Sequence, residues 1–293
     1  MTVNQFVDLL APLTLIEMMV TLGLGVKTLE VLKIGKQGGL VFRALLANYV
    51  LVPAAALGLL LLFHASPIVA AGFLVVTVCP GAPYAPPFTA MAKGQVNVAV
   101  GLMVLLAASS AVVAPLLLGF LLPIIAGETT VKINVLKMIV TLLGAQLLPL
   151  GLGIWIRNSY PAFAEKLEKP ARALSLALNL VLLTLIIVAQ FQTLAEIHAT
   201  GYFGMLCMVF ATLVAGRVVT RRGEESITRS MVLTTSVRNV GVGLVIATTS
   251  FPGTAAVTSA TAYAIFQTVI IALVAFAWGR HTPDIHLIEQ RAA

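Results

Sequence analysis

The sequence predicts an all-α polytopic membrane protein with nine transmembrane helices, and three observations carry that expectation. Of the 293 residues 59% are hydrophobic and 10% charged, with a mean hydropathy of +1.03. A soluble domain carries roughly 25% charged residues. Apolar runs of 18 or more residues, enough to cross about 30 Å of hydrocarbon, recur along the chain. Lysine and arginine fall in short clusters between those runs, as membrane topology requires, and do not form the continuous basic patch of a nucleic-acid binder. Eighteen basic and eleven acidic residues cannot cover the surface of a 30.8 kDa globule, so a water-soluble enzyme is excluded.

The first apolar run, 6–26, has no basic region before it and no small-residue cleavage site, and reads as a retained helix rather than a removed signal. The other spans are expected at about 40–63, 67–92, 96–125, 135–156, 173–191, 201–219, 226–251 and 258–279. With nine spans, one end of the bundle receives Lys27, Lys33, Lys36 and Arg43, the single turn at Lys93, and Arg157, Lys166, Lys169 and Arg172. The same end receives Arg217, Arg221, Arg222, Arg229, Arg280 and Arg291. The opposite end receives only Lys132 and Lys137. The positive-inside rule then places the N-terminus outside and the C-terminus in the cytoplasm of the cell (inner) membrane. Cys79 and Cys207 both lie in apolar runs and define no disulfide framework.

Two spans cannot be ordinary helices. The third contains Cys79-Pro-Gly-Ala-Pro-Tyr-Ala-Pro-Pro87, and each internal proline removes a donor and clashes with the preceding turn. The eighth contains Ser236-Val-Arg-Asn-Val-Gly-Val-Gly243. Opened backbone at bilayer depth survives only where it is buried in protein or lines a wet cavity. One broken span in each half is the signature of inverted repeats with a midplane site. The organisation expected is one transmembrane domain over 1–280, with repeat one at about 6–125 and repeat two at about 135–279. A cytoplasmic tail is expected at 281–293.

Two charges lie deep within spans. Glu17 is ten residues before Lys27, and Arg238 nine residues after Arg229. At about 1.5 Å per residue both sit roughly 14–15 Å from the basic end, at matching depth. An intramembrane charge is costly and marks function by default. Two readings follow: a buried Glu17–Arg238 ion pair that holds the fold, or an anion-binding Arg238 that Glu17 neutralises when no substrate is bound. Glu17 is also the one candidate proton carrier, with a nearby Arg238 opposing that role. Asn48, Asn97, Asn179, Gln190, Gln192 and Gln267 read as interhelical hydrogen-bonding residues. Asn239 differs because it adjoins Arg238 at the break. No paired intramembrane aspartates, H-E-x-x-H motif or intramembrane histidine is present, so hydrolysis has no constellation to run on.

These motifs resemble the bile acid:sodium symporter family through nearly the whole chain. Gly23-Leu-Gly-Val-Lys27 is similar to its G-L-T-L-K, and Asn48-Tyr-Val-Leu-Val-Pro53 to its Q-F-x-x-x-P. The long stretch from Cys79 to Gly94 resembles C-P-G-G-T-A-S-N-V-x-T-Y-L-A-x-G, and Thr234–Gly241 resembles E-x-G-x-Q-N-x-G. The resemblance implies a panel domain and a core domain, with the two broken helices crossing at the midplane of the core. It also implies sodium sites, whose ligand positions fall on Asn48, Ala85, Pro86, Ala99, Met103, Thr234 and Arg238. Alanine, proline and methionine side chains offer a hard cation no oxygen, and a guanidinium repels it. The chain is therefore expected to have lost sodium coupling and to need no metal or cofactor. The expected function is alternating-access transport of a small organic anion, with Arg238, Asn239, Pro83, Tyr84, Ala85 and Glu17 as the expected substrate-site residues. A sodium-coupled symporter and a non-transporting sensor of the same fold are the alternatives. The lipid bilayer is the other expected partner, nucleic acid is not one, and oligomeric state is left open.

Overall fold

The computed structural model describes residues 3–126, 133–189, 191–195, 197–220 and 223–281. The expected basic residues Lys132, Arg221, Arg222 and Arg291, together with Gln190 and the tail beyond His281, lie outside the described residues. Every regular element among those described is helical.

Helix α1 is Val3–Leu24, and a short α2, Thr28–Gly35, follows it. The second span is α3 (Gly38–Leu46) and α4 (Val52–Leu62), joined without interruption by a π-helical turn at Ala47–Leu51. The third span is broken into α5 (Pro67–Thr77) and α6 (Ala85–Met91). Helix α7 (Val96–Ala126) completes the first half. The fifth span repeats the π-turn device, with α8 (Val135–Leu142) and α9 (Leu148–Ser159) flanking Leu143–Leu147. Helix α10 (Pro161–Ala189) is followed by the single turn α11 (Phe191–Ala195) and by α12 (Ala199–Val219). The eighth span is broken into α13 (Glu225–Ser236) and α14 (Val240–Ser250), and α15 (Ala255–His281) closes the chain.

Among the described residues eight helical segments are long and apolar enough to cross a membrane. The shorter apolar α5 belongs to the broken third stretch, and the third and eighth stretches are interrupted where expected. Two connections differ from the sequence reading. Residues 27–39 contain α2, and residues 157–172 belong mostly to α9 and α10, with Tyr160 as the corner between them. Pro161 opens α10 at a position that needs no backbone donor. The charges of 161–172 hide the helix from a hydropathy reading, because this stretch stands at the polar end of the bundle. There Glu168 pairs with Arg172 at 2.7 Å and with Arg157 at 3.6 Å.

Helix α1 packs mainly on α9 and α10, and α14 touches it from the other side. The remaining helices form a second body in which α5 packs on α15, α12 on α13, and α6, α7 and α13 on one another. Leu13, Phe42, Leu62, Phe120, Leu148, Val188, Phe210 and Leu273 stay exposed around the outside. A belt of bare apolar side chains on this scale would aggregate in water and is what a lipid-facing surface requires. The protein is a multi-pass membrane protein.

Candidate functional site

The first break runs from Val78 to Tyr84. Helix α5 stops before Cys79-Pro80, and Gly81 takes φ +82°, a left-handed conformation that only glycine adopts freely. A Cβ there would stand 2.3 Å from the backbone nitrogen of Ala107, so the break lies directly on α7. Pro86 and Pro87 fall in the first turn of α6, where a missing N–H costs nothing. The second break is shorter, Val237–Asn239. The backbone N–H of Asn239 donates to the Cys79 carbonyl (2.7 Å), and its Nδ2 donates to the Gly81 carbonyl (3.3 Å). Its Oδ1 accepts from the N–H of Val242 and so caps α14. Asn239 alone therefore joins the two breaks and starts the half-helix that follows.

That cap also limits what the helix termini can offer a ligand. One free N–H at the start of α14 is already taken by Asn239, and α6 is only seven residues long. The dipole contribution expected from the two half-helices is correspondingly small.

Arg238 is fully buried, at 0% exposure, and is the largest wholly enclosed side chain among the described residues. Its Nη2 donates to the Thr235 carbonyl, while Nε and Nη1 have no hydrogen-bond partner. Its electrostatic neighbours are Tyr263, Cys79 and Tyr49, all formally neutral. Four further buried atoms without partners belong to residues around it: Asn48 Oδ1, Ser236 Oγ, Tyr263 Oη and Gln267 Oε1. Asn48 donates to Thr235 Oγ1 at 3.4 Å, and Gln267 to the Arg238 carbonyl at 3.5 Å. Native interiors hold few orphaned polar atoms, so this cluster around one cation singles the place out as the candidate site.

The expected ion pair does not form. Glu17 accepts from Thr21 Oγ1 (2.7 Å) and Ser175 Oγ (2.6 Å), linking α1 to α10, and no salt bridge joins it to Arg238. Equal depth along the membrane normal does not fix which way a side chain faces. Glu17 turns toward α10, whereas Arg238 is enclosed by the second span, α15 and the first break.

A crevice of about 280 Å³ is lined by Tyr84 from the first break, Asn179 and Leu183 from α10, Val240 and Leu244 from α14, and Thr268 from α15, and by neither Glu17 nor Arg238. Of the expected binding residues Tyr84 lines it directly. Pro83 is half-buried beside Tyr84, and Ala85, Asn239 and Arg238 lie wholly buried behind the wall.

The family sodium positions are all buried. Ala85, Pro86, Ala99 and Met103 bring no side-chain oxygen, and the Thr234 hydroxyl donates to the Ser230 carbonyl at 2.6 Å. Asn48 Oδ1 is the one unpartnered side-chain oxygen in the set, and the Nδ2 of the same amide bonds to Thr235, whose carbonyl accepts from the Arg238 guanidinium. This donor set does not fit a sodium ion.

A model of the Sodium Bile acid symporter family matches residues 12–197. The chain belongs to that family. A relative from Bacillus subtilis (strain 168), the uncharacterized protein YbaS, is 27% identical over 228 residues, covering 75% of this chain and 72% of its own. The match to the sodium bile acid symporters takes in the first break and ends before the second. Tyr263 and Gln267 escaped the sequence reading as a pair. Their i, i+4 spacing in an apolar span was the available signal, since it puts both polar groups on one helical face.

Proposed function

We propose that this protein is a secondary transporter of an organic anion that works by alternating access without sodium. One observation supports the reading above the rest: a wholly buried guanidinium that no described carboxylate neutralises. An uncompensated cation in a low-dielectric interior is costly, and a bound anion supplies the missing charge. The crevice between α10 and the crossover gives that anion an apolar wall for its body and Tyr84, Asn179 and Thr268 as hydrogen-bonding partners. Arg238, directly behind the wall, attracts the acidic group. It grips it as a two-pronged donor once the broken helices shift against the α1–α9–α10 layer. Inverted repeats relate the two broken spans in this scheme. The basic clusters put the N-terminus outside and the C-terminus in the cytoplasm.

The test is thermal melting of detergent-purified protein with cholate, pyruvate, succinate or pantoate, in sodium and in choline buffers, beside Arg238→Gln. An anion at a hundredfold over its Kd stabilises by about 2.7 kcal/mol. Equal stabilisation in both buffers, lost in Arg238→Gln, is expected. Stabilisation that requires sodium would return the chain to the sodium-coupled symporters.

A further inference from the structure

The second intramembrane charge has no place in that scheme, and its surroundings assign it one. Glu17 is half-buried on α1 and does not itself line the crevice. Tyr84, which lines the crevice, is within electrostatic reach of it. Ser175 donates to Glu17, and Asn179, one turn further along α10 and also lining the crevice, donates to the Ser175 carbonyl at 2.8 Å. The carboxylate is thus two hydrogen bonds removed from the wall of the substrate space. An organic anion entering there comes near a carboxylate that no described cation pairs with.

The hydrogen-bond partners of Glu17 are of a particular kind. Both are hydroxyls, from Thr21 and Ser175. A hydroxyl donates or accepts by rotating, whereas a backbone N–H or an ammonium can only donate. The carboxyl group is consequently satisfied whether it is ionised or protonated, as a reversible proton site needs. Arg238 lacks this freedom, because a guanidinium keeps its proton.

We infer that Glu17 is a coupling-proton site, and that the organic anion and one proton cross together. The proton arrives from external water, binds a Glu17 oxygen, and removes the repulsion that excludes the anion. After the crevice opens to the other side the anion leaves, and the proton passes to cytoplasmic water. The net transfer is one negative and one positive charge. Cys79 and Tyr84 are the titratable groups at the first break, and neither α14 nor the π turn at Leu143–Leu147 carries any. On α9, Arg157 pairs with Glu168. On α10, Glu165, Lys166, Glu168, Lys169 and Arg172 lie toward the basic end, with Arg172 on Glu168. Thr28 holds Asn158 there too, at 2.9 Å.

The inference rests on the organic-anion reading, and the experiment separates the two. Proteoliposomes with trapped pyranine carry the wild type, Glu17→Gln or Glu17→Asp, and labelled cholate, pyruvate, succinate and pantoate serve as probes. Exchange at equal pH on both sides needs no net proton movement. Net uptake under an inward proton gradient does. Wild type should exchange at least one probe and accumulate it severalfold as the lumen acidifies. Glu17→Gln should keep exchange while losing both the accumulation and the acidification, and Glu17→Asp should recover part of each. Exchange in the wild type that ignores the proton gradient overturns the proton site and leaves the anion carrier standing. Absence of exchange with every probe overturns the anion reading and the proton site with it.

Discussion

The two breaks solve one problem by different chemistry. The first is written into the backbone: Pro80 and Pro83 remove donors, and Gly81 supplies the left-handed turn. Its side chains are mostly small, and it would stay non-helical in any setting. The second has neither proline nor glycine between Val237 and Asn239 and opens through side-chain and tertiary bonds. Its key hydrogen bonds run to carbonyls of the first break, at Cys79 and Gly81. The first break therefore acts as a template for the second. The rigid partner holds the shape, and the dependent partner carries the charge.

Gly81→Ala should separate the two most severely. It adds a left-handed penalty of about 1–2 kcal/mol to a backbone collision at 2.3 Å with Ala107, for a loss of roughly 2–5 kcal/mol once overpacking is included. Melting in lipid or detergent measures it, and a loss below about 1 kcal/mol would mean the break does not template its partner. Asn239→Ala comes next, at about 1–3 kcal/mol, because it removes a cap and leaves the Gly81 carbonyl without a buried donor. Arg238→Met should move stability least and in the opposite direction. An unneutralised buried charge replaced by an apolar chain of similar length is neutral or stabilising by about 1–2 kcal/mol. Stabilisation by anions should vanish in that variant. A large destabilisation would show instead that Arg238 holds the fold.

The apolar helices and the first break were legible because apolar length and proline position are properties of the chain alone, although eight segments, not the nine expected, are long and apolar enough to span. Arg238 was legible as a buried charge for the same reason. Its neighbours were not. Counting residues from the basic end gives a depth but no direction around the helix, and so Glu17 and Arg238 were brought together when the fold turns them apart. Ser175 and Thr21 show the limit again: Thr21 is readable as i+4 from Glu17, whereas Ser175 comes from a helix whose rotation only packing sets. Tyr263 and Gln267 look like ordinary interior polar residues until α15 lays them against the second break. The short helix α2 and the early start of α10 were obscured by their own charges.

The π turns at Ala47–Leu51 and Leu143–Leu147 grip the same stretch of α7. Tyr49 bonds to the Leu106 carbonyl (3.0 Å) and Ser109 (2.7 Å), and Gln146 to the Ala107 carbonyl (2.5 Å) and Ser110 (3.0 Å). A π turn is an α-helix holding one residue too many. Deleting a single residue from a regular α-helix turns everything beyond it by about 100°. Here the surplus residue is taken up within Ala47–Leu51, so α4 keeps its facing: Val52, Pro53, Ala56 and Leu60 stay buried, and Leu61 and Leu62 stay exposed. At these two places the fold counts residues before it reads them.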